Sequence, residues 1–384
     1  MNALPQAWIR WTAIMVFCGA CAPTGEGRAI EGPTGAPAVR LVATTSLRDS
    51  TQAPLGGYLF ASRSSAGRIL VSDMANSRIV VFGPDGALEH IWGRKGNGPG
   101  EFQAPGVNVV LYDSLLAVWD VAQRQISLLD ASDGQFIRAA TLPGGDVGVN
   151  WTVRGDSALF ALGSSPGLFA RWEWTTGKAS VGGTVPAQLL TDPFTTLQHG
   201  RPEIALTAQG IVALLPTEPG VRLLSIDGRD LGLVRLPWVR RKGTPADLFA
   251  KAAAARESGP MGLAPVGSAV VGLRALSNGS LLALLLDVEQ LAPPREGRPG
   301  AQLFGNFKLF ASLIRGDLSA ACVDAPVPID TDVPPFPFFS GDTLWVLTRK
   351  VLPADTVLNQ VQGFVVGDKG CDWMATGGPD TAQR

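Results

Sequence analysis

The sequence predicts an all-β fold, a single β-propeller of about six four-stranded blades. Two observations lead to this prediction. The chain of 384 residues contains 46 glycines and 29 prolines, and only 17% of its residues are charged. This composition favours short strands joined by tight turns over long solvated helices. In addition, a unit of four short strands spans about 45 residues, and related strand–turn–strand copies recur along the chain.

The clearest unit begins at residue 67. Apolar and β-branched runs at 68–72, 78–82, 87–92 and 106–110 each predict a short strand. The segment Gly83-Pro84-Asp85-Gly86 separates the second run from the third. Proline fixes φ in such a segment and glycine permits positive φ, so a tight turn is expected there. Four antiparallel strands of this length are the size of one propeller blade.

A second copy follows in register, because Asp73 and Ile79 recur as Asp120 and Ile126 with one common offset. Further strand–turn–strand copies begin near residues 158, 211, 281 and 343. We interpret the wider spacing toward the C-terminus as insertions within one ring. The run 39–43 precedes the first complete unit and is expected to close the ring as a strand of the last blade.

One insertion predicts a short helix near 245–257. Thr244 provides an N-cap, Pro245 occupies the first helical position, and residues 248–256 have high helix propensity. Gly259 and Pro260 end the pattern. Packing over the propeller rim is one interpretation of this helix, and a lid or partner-docking element is the other.

The N-terminus predicts an export signal. Arg10 precedes an apolar run that is too short to span a bilayer, and small residues precede Cys21. This arrangement resembles a bacterial lipoprotein signal, which implies lipidation of Cys21; simple secretion and an uncleaved anchor are the alternatives. The predicted organisation is a signal peptide at 1–20, a flexible tether at 21–38, the propeller at 39–373 and a C-terminal tail at 374–384. The expected location is periplasmic or otherwise extracytoplasmic, with the protein anchored to a membrane by the lipidated cysteine.

Two cysteines lie in the region expected to fold, Cys322 and Cys371. In an oxidising compartment such a pair favours a disulfide. Two buried thiols are the alternative, and neither residue has the CxxC or histidine neighbours typical of a metal site.

The unit that begins at residue 67 resembles an NHL repeat. The matching positions are Asp73, Asn76, Arg78, Ile79, Phe82, Asp85, Gly86, Gly93, Gly96, Gly100, Phe102 and Pro105. The resemblance implies a six-bladed propeller whose faces bind other macromolecules. The aspartate and asparagine are expected to bond turn amides, and Arg78 to pair with a carboxylate, so we assign these positions a structural role.

Few residues in the chain are suited to catalysis. There are two histidines, His90 and His199, and no Gly-x-Ser-x-Gly motif. A histidine-rich zinc centre is therefore excluded, and a serine or cysteine triad is disfavoured. Propeller lactonases hold a divalent metal at the central channel with acidic and amide side chains. No cofactor is predicted for this chain, and an axial divalent ion such as Ca²⁺ is the alternative. The carboxylates that qualify are Asp73, Asp120, Asp156, Asp287 and Asp342, with Asp330 and Asp332 in a separate acidic segment.

The sequence favours a non-enzymatic protein-binding or scaffolding module at the cell envelope. Its expected partner is another envelope or membrane protein, and the net charge of −1 opposes nucleic-acid binding. The rival is a metal-dependent hydrolase, lactonase or lyase of the propeller type. Five aromatic residues are candidate anchors for a partner if they project from loops, whereas packing in the core is the favoured interpretation of each one taken singly: Trp151, Trp238, Phe336, Phe338 and Phe339.

Overall fold

The computed structural model describes residues 35–48, 54–142, 147–162, 167–184, 202–215, 218–238, 268–292, 304–353 and 356–378. These residues form six antiparallel sheets and a 3-10 turn at Met74–Asn76. The predicted helix near 245–257, Cys21 and His199 lie outside the described residues. No helix in the described part of the chain is long and apolar enough to cross a membrane.

Each sheet is one blade, in which the strands follow one another from the innermost outward. Blade 1 contains β2 (Leu59–Arg63), β3 (Ile69–Asp73), β4 (Arg78–Phe82) and β5 (Leu88–Trp92); blade 2 contains β6 (Pro105–Leu111), β7 (Leu115–Asp120), β8 (Gln125–Asp130) and β9 (Phe136–Thr141). Blade 3 contains β10 (Val147–Arg154), β11 (Ser157–Leu162), β12 (Phe169–Glu173) and β13 (Lys178–Gly182); blade 4 contains β14 (Glu203–Thr207), β15 (Gly210–Leu214), β16 (Gly220–Leu224) and β17 (Asp230–Arg235).

Blade 5 contains β18 (Ala269–Ala275), β19 (Leu281–Ala292), β20 (Phe304–Ile314), β21 (Ala320–Val327) and β25 (Met374–Ala375); blade 6 contains β22 (Phe336–Ser340), β23 (Thr343–Val351), β24 (Val357–Gly367) and β1 (Ala38–Leu47). The prediction of a six-bladed all-β propeller is therefore confirmed. The grouping of strands in the first unit is wrong, because the run at 106–110 lies in β6, the innermost strand of blade 2, whereas blade 1 contains β2 as its innermost strand. Neighbouring innermost strands contact each other all the way around, from β2 to β22 and back to β2, so the ring is closed.

The first strand of the chain completes the last blade, as expected from its position. β1 pairs with β24 from Ala38 opposite Gly367 to Leu47 opposite Asn359, with a bulge between Leu41 and Ala43. The next residue, Arg48, donates its backbone N–H to the Gly86 carbonyl of blade 1 at 2.8 Å. Gly86 has a φ of +78°, and a Cβ atom there would collide with the Ser46 carbonyl. Only glycine satisfies both the turn and this close approach.

The core lies between the blades. In β3 all five residues are buried, because both faces of the inner sheet are covered by neighbouring blades, whereas β5 at the outside has one buried residue. Burial on both faces explains the continuous apolar runs of the inner strands. Blades 1 and 6 share one such cluster, which includes Phe82 and Trp345.

The C-terminal segment crosses from blade 6 to blade 5. A disulfide joins Cys322 of β21 to Cys371, with a Cα–Cα distance of 5.7 Å. β25 pairs with β21 opposite Ala320 and Ala321, so pairing continues two residues into the segment predicted as a tail. The N-terminal end of the described chain contacts this C-terminal segment, since Asp372 donates its N–H to the Gly35 carbonyl at 2.6 Å. Both ends of the ring-forming chain are thus held at the blade 5–blade 6 rim.

Candidate functional site

The two faces of the ring are defined by the direction of the innermost strands. We call upper the face at which β2, β6, β10, β14, β18 and β22 begin, and lower the face at which they end. Antiparallel connection places the turn between the second and third strand of each blade at the upper face as well. Propellers present their ligand-binding residues on such turns and on the connections that lead into the innermost strands.

A pocket of about 190 Å³ opens on the upper face between blades 6 and 1. Its lining combines aromatic, proline and aliphatic residues with one cation. The lining residues are Tyr58, Leu59, Phe60, Val333, Pro334, Pro335, Phe336, Leu347, Thr348 and Arg349. Phe60 of blade 1 and Phe336 of blade 6 meet in the lining, with ring centroids 5.1 Å apart at 77°. An edge-to-face pair of this kind is a favourable arrangement that also fixes both rings.

Tyr58 stands at the mouth of the pocket. Its side chain is 43% exposed, and its backbone has a φ of +54°, in the left-handed region that few residues other than glycine and asparagine adopt readily. Burial raises the pKa of the Tyr58 phenol above its ordinary value, which already keeps the hydroxyl protonated at neutral pH. The backbone therefore presents an aromatic ring at the opening.

Arg349 holds the walls of the pocket together. It is 6% exposed, and it donates from Nε to Asn359 Oδ1 at 2.7 Å and from Nη2 to the Leu55 carbonyl at 3.3 Å. Its backbone N–H donates to Thr331 Oγ1 at 3.3 Å, and the Thr331 hydroxyl donates to the Val333 carbonyl at 2.8 Å. The guanidinium thus connects β23, β24 and the connection into β2. Such fixed walls lower the entropic cost of accepting a ligand.

The NHL-like residues fix the backbone segment that precedes β2 through hydrogen bonds. The buried carboxylate of Asp73 accepts from Gly56 N at 3.2 Å, from Asn76 Nδ2 at 2.8 Å and from Arg78 Nη2 at 3.1 Å. Arg78 also donates to the Pro54 carbonyl at 2.7 Å. This cluster sets the position of the segment that carries Tyr58. Asp120 has the same role in blade 2, where it accepts from the amides of residues 103, 104, 122 and 123 at 2.7–3.2 Å.

The other predicted carboxylates are spread over the ring and are bonded locally. Asp156 accepts from Thr175 Oγ1 at 2.9 Å, Asp287 from Ser268 Oγ at 2.5 Å and Asp342 from Ser277 N at 3.0 Å. Asp330 pairs with Lys350, and Asp332 accepts from Val351 N at 2.8 Å. Across the part of the chain that the structure describes, no three histidine, cysteine, aspartate or glutamate side chains form a group that could hold a metal ion.

The innermost strands carry polar side chains that sequence reasoning did not single out. Glu203 Oε2 on β14 accepts from both the backbone N–H and the side-chain amide of Asn150 on β10, at 3.2 and 3.0 Å. Asn108 on β6 accepts from Ser62 of β2 and donates to Ser72 Oγ at 2.8 Å. Each bond crosses from one blade to the next. These buried groups therefore tie adjacent blades together near the axis.

The five candidate aromatics fall into different environments. Trp151, Trp238 and Phe338 are buried, which agrees with core packing and rules these three out as loop anchors, and Phe339 packs against the core between blades 5 and 6. Phe336 does reach the pocket. Strand alternation places Phe339 on the other face of β22, toward blade 5, whereas Phe336 and Phe338 share the face toward blade 1. Phe336 lines the pocket because it is the first residue of the strand, at the upper face.

The pocket itself could not have been found from local sequence. Tyr58 and Arg349 were not singled out, although an arginine within the apolar run of β23 is unusual enough to have served as a signal. His90, one of the two histidines of the chain, is exposed on β5 and stacks on Trp92 with centroids 6.2 Å apart. It lies on an outer strand, away from the pocket.

Comparisons with known proteins agree with the architecture. Residues 61–149 match the sequence profile of a family described as 6-bladed beta-propeller. No curated protein has a significant match to the chain. Two solved structures share the fold: a protein from Bacteroides fragilis described as exported (TM-score 0.51, 12% identity, covering 85% of this chain and 95% of that one) and a member of the duf4221 family from Bacteroides vulgatus (TM-score 0.53, 10% identity, covering 87% and 99%).

Virginiamycin B lyase from Staphylococcus aureus is also similar, with a TM-score of 0.47 and 12% identity over 85% of this chain and 99% of that one. That similarity is too low to carry an argument about activity. At these identities the comparisons establish the fold alone.

Proposed function

We propose that this chain is a non-enzymatic partner-binding propeller of the cell envelope, and that its partner inserts an apolar side chain into the pocket between blades 6 and 1. The observation that carries the proposal is the combination of volume and lining. A pocket of about 190 Å³ is smaller than the roughly 300–1,000 Å³ typical of small-molecule and cofactor sites. It is the size expected for one large side chain, the kind of anchor that dominates protein interfaces.

The chemistry of the lining supports a binding role over catalysis. Its aromatic rings, prolines and aliphatic side chains provide a dry contact surface. Two further exposed apolar residues, Leu352 and Val357, flank the turn that follows the pocket-lining part of β23. Together with Tyr58 they extend the apolar surface around the opening. The proposal needs no cofactor.

In this proposal the protein is exported and is anchored to a membrane by a lipid. The N-terminal pattern around Cys21 supports it, as does the fold shared with a protein described as exported. A disulfide between Cys322 and Cys371 is consistent with an oxidising compartment. The partner would then be another envelope or membrane protein, since it must meet the anchored ring at the membrane surface.

A photo-crosslinking experiment tests the pocket. The photoreactive residue p-benzoylphenylalanine replaces Tyr58 in the full chain expressed in its native host, and Tyr112 serves as the matched control. Tyr112 is also an exposed tyrosine with positive φ, but it lies on the lower face between blades 2 and 3. We expect one discrete protein adduct from position 58, none from position 112, and loss of the adduct when Phe60→Ala is added.

Absence of an adduct at position 58, or the same adduct from both positions, would contradict the proposal. A rival metal-dependent activity is tested separately by metal analysis of the purified protein. A stoichiometric divalent ion that Glu203→Gln removes would favour the rival, because Glu203 is a buried carboxylate on an innermost strand.

A further inference from the structure

Exposed apolar side chains are concentrated on one blade. Twelve large hydrophobic residues are exposed among the described residues, and five of them lie on the strands of blade 6 or in its β23–β24 turn. The outer strands of blades 1 to 4 have one each: Ile91, Ile137, Val181 and Leu231. On β1 and β24, by contrast, Leu41, Val42 and Val365 are 46%, 41% and 38% exposed. The register places Leu41 opposite Phe364 and Arg40 opposite Val365, so Leu41 and Val365 lie on the two faces of the outer edge of the blade. We call Leu41, Val42 and Val365 at this edge the blade-6 rim patch.

The local pairing explains how this patch forms. The bulge between Leu41 and Ala43 inserts Val42 as an extra residue, which no partner on β24 opposes. β1 is the outermost strand of its sheet, and it is ten residues long, whereas the outer strands of blades 1 to 4 have five or six. Soluble proteins usually protect long outer strands with charges or cover them. An aliphatic outer strand is therefore a surface that favours contact with something apolar.

The position of the preceding chain indicates what that contact is. Gly35 is held beside Asp372 and Cys322, three residues before β1 begins, so the N-terminal segment departs from the same rim. If Cys21 carries the lipid, residues 22–34 connect it to Gly35. A chain of thirteen residues spans at most roughly 45 Å when fully extended. A lipid on Cys21 would therefore be attached to the ring at the blade 5–blade 6 rim.

We propose that the blade-6 rim patch inserts into the interfacial region of the bilayer that carries the lipid anchor, so that the ring stands on its edge with both faces accessible. This inference rests on the lipid-anchor part of the proposed function. Arg40, which is exposed and lies opposite Val365, is placed to contact lipid phosphates. Because the anchor already supplies a high local concentration, three half-exposed aliphatic side chains suffice to fix the orientation.

The edge-on orientation also has a consequence for the partner-binding pocket. β1 and β24 belong to the blade whose inner strands form one wall of that pocket. The pocket would therefore lie on the membrane-proximal side of the ring. A membrane protein could reach it with a segment close to the bilayer surface.

Amide hydrogen exchange tests the orientation. The full lipidated chain is reconstituted in vesicles of phosphatidylethanolamine and phosphatidylglycerol, and exchange is measured before and after the ring is released by a protease site engineered into residues 26–31. Alternate amides of β1 do not bond to β24 and exchange quickly when they face water. We expect peptides covering 38–44 to exchange severalfold more slowly on vesicles than after release, while peptides covering β5 and β9 stay unchanged.

Two variants make the result specific. Leu41→Asp combined with Val42→Asp is expected to abolish the difference on release, whereas Ile91→Asp combined with Ile137→Asp, on the rims of blades 1 and 2, is expected to preserve it. Thermal unfolding checks that both variants are folded; if the first is not, Val365→Asp replaces it. Exchange at 38–44 that is the same before and after release overturns the proposal.

Protection that persists after release and grows with protein concentration also overturns the proposal, since it would show that a second copy covers β1. The mass of the N-terminal peptide separates failure of the anchor from failure of the orientation. A Cys21 without lipid would refute the anchor and the inference together, whereas a lipidated Cys21 with an unprotected β1 would refute the inference alone.

Discussion

Reduction of the disulfide is expected to destabilise the ring by an amount that follows from its position. Cys322 and Cys371 are separated by 49 residues, which include all of β22, β23 and β24. In the chain-entropy model, a crosslink that closes a loop of this length removes about 4 kcal/mol of conformational entropy from the unfolded chain at 25 °C. With roughly 2 cal/mol/K of unfolding entropy per residue, that corresponds to a fall in Tm of about 6 °C for a ring of this size.

The assay is thermal unfolding of the purified protein with and without a thiol reductant. The double variant Cys322→Ala, Cys371→Ala is the control, and its Tm should be lower than that of the oxidised protein and insensitive to reductant. Cys322 is fully buried, so part of the variant's loss comes from packing, whereas reduction alone isolates the crosslink. Equal Tm values for the oxidised and reduced protein would refute the reasoning, because they would show that the bond does not constrain the unfolded chain.

Three further predictions concern single residues. Asp73→Asn should lower the free energy of unfolding by about 3 kcal/mol, measured by denaturant titration, because it removes the buried carboxylate that Arg78 and the amide of residue 56 contact. Gly86→Ala should lower Tm, because φ at residue 86 is positive and the added Cβ would collide with the Ser46 carbonyl. Gly155→Ala should lower Tm less, because the space around residue 155 is open and only the positive φ opposes the substitution. The hydroxyl and backbone N–H of Ser65 hold the pKa of Asp113 below its ordinary value. The stability this adds is complete above the unfolded-state pKa and is lost as the pH falls through the lower folded-state pKa. Asp113→Asn should therefore destabilise the protein at pH 6, and denaturant titrations should show this loss shrinking as the pH falls below the ordinary aspartate pKa.

Much of the ring could be predicted because the information is local. The run 68–92 shows two apolar strands, a turn, and a third strand, and the structure has β3, β4 and β5 at those places. Asp73 and Asn76 were expected to bond turn amides, and both lie in the cluster at the start of β2. The repeat from residue 114 onward was recognisable for the same reason, since Asp120 closes the equivalent turn.

The anchors of the candidate site were less predictable. Among the five aromatics considered as anchors, Phe336 lines the pocket while Trp151 packs against Phe160 with centroids 4.5 Å apart. Sequence cannot distinguish these outcomes, because each residue sits in an apolar run and its direction depends on register with a neighbouring blade. The distances between the carboxylates considered as metal ligands could not be predicted either, since they depend on the order of the blades around the ring.

The amino-acid sequence by itself indicated the second and third strands of the blades and the number of blades, because apolar runs, glycine and proline positions and Asx-type turn bonds act over a few residues. Most of the innermost strands were not recognised, and the run at 106–110 was grouped with blade 1 although it belongs to blade 2. Only the tertiary structure decided where the surfaces for partners lie. The pocket exists because ring closure brings blade 6 against blade 1, so that Arg349 reaches the Leu55 carbonyl across 294 residues of sequence. Contacts between residues so distant arise from packing of complete blades, and no local pattern encodes which two side chains will meet there.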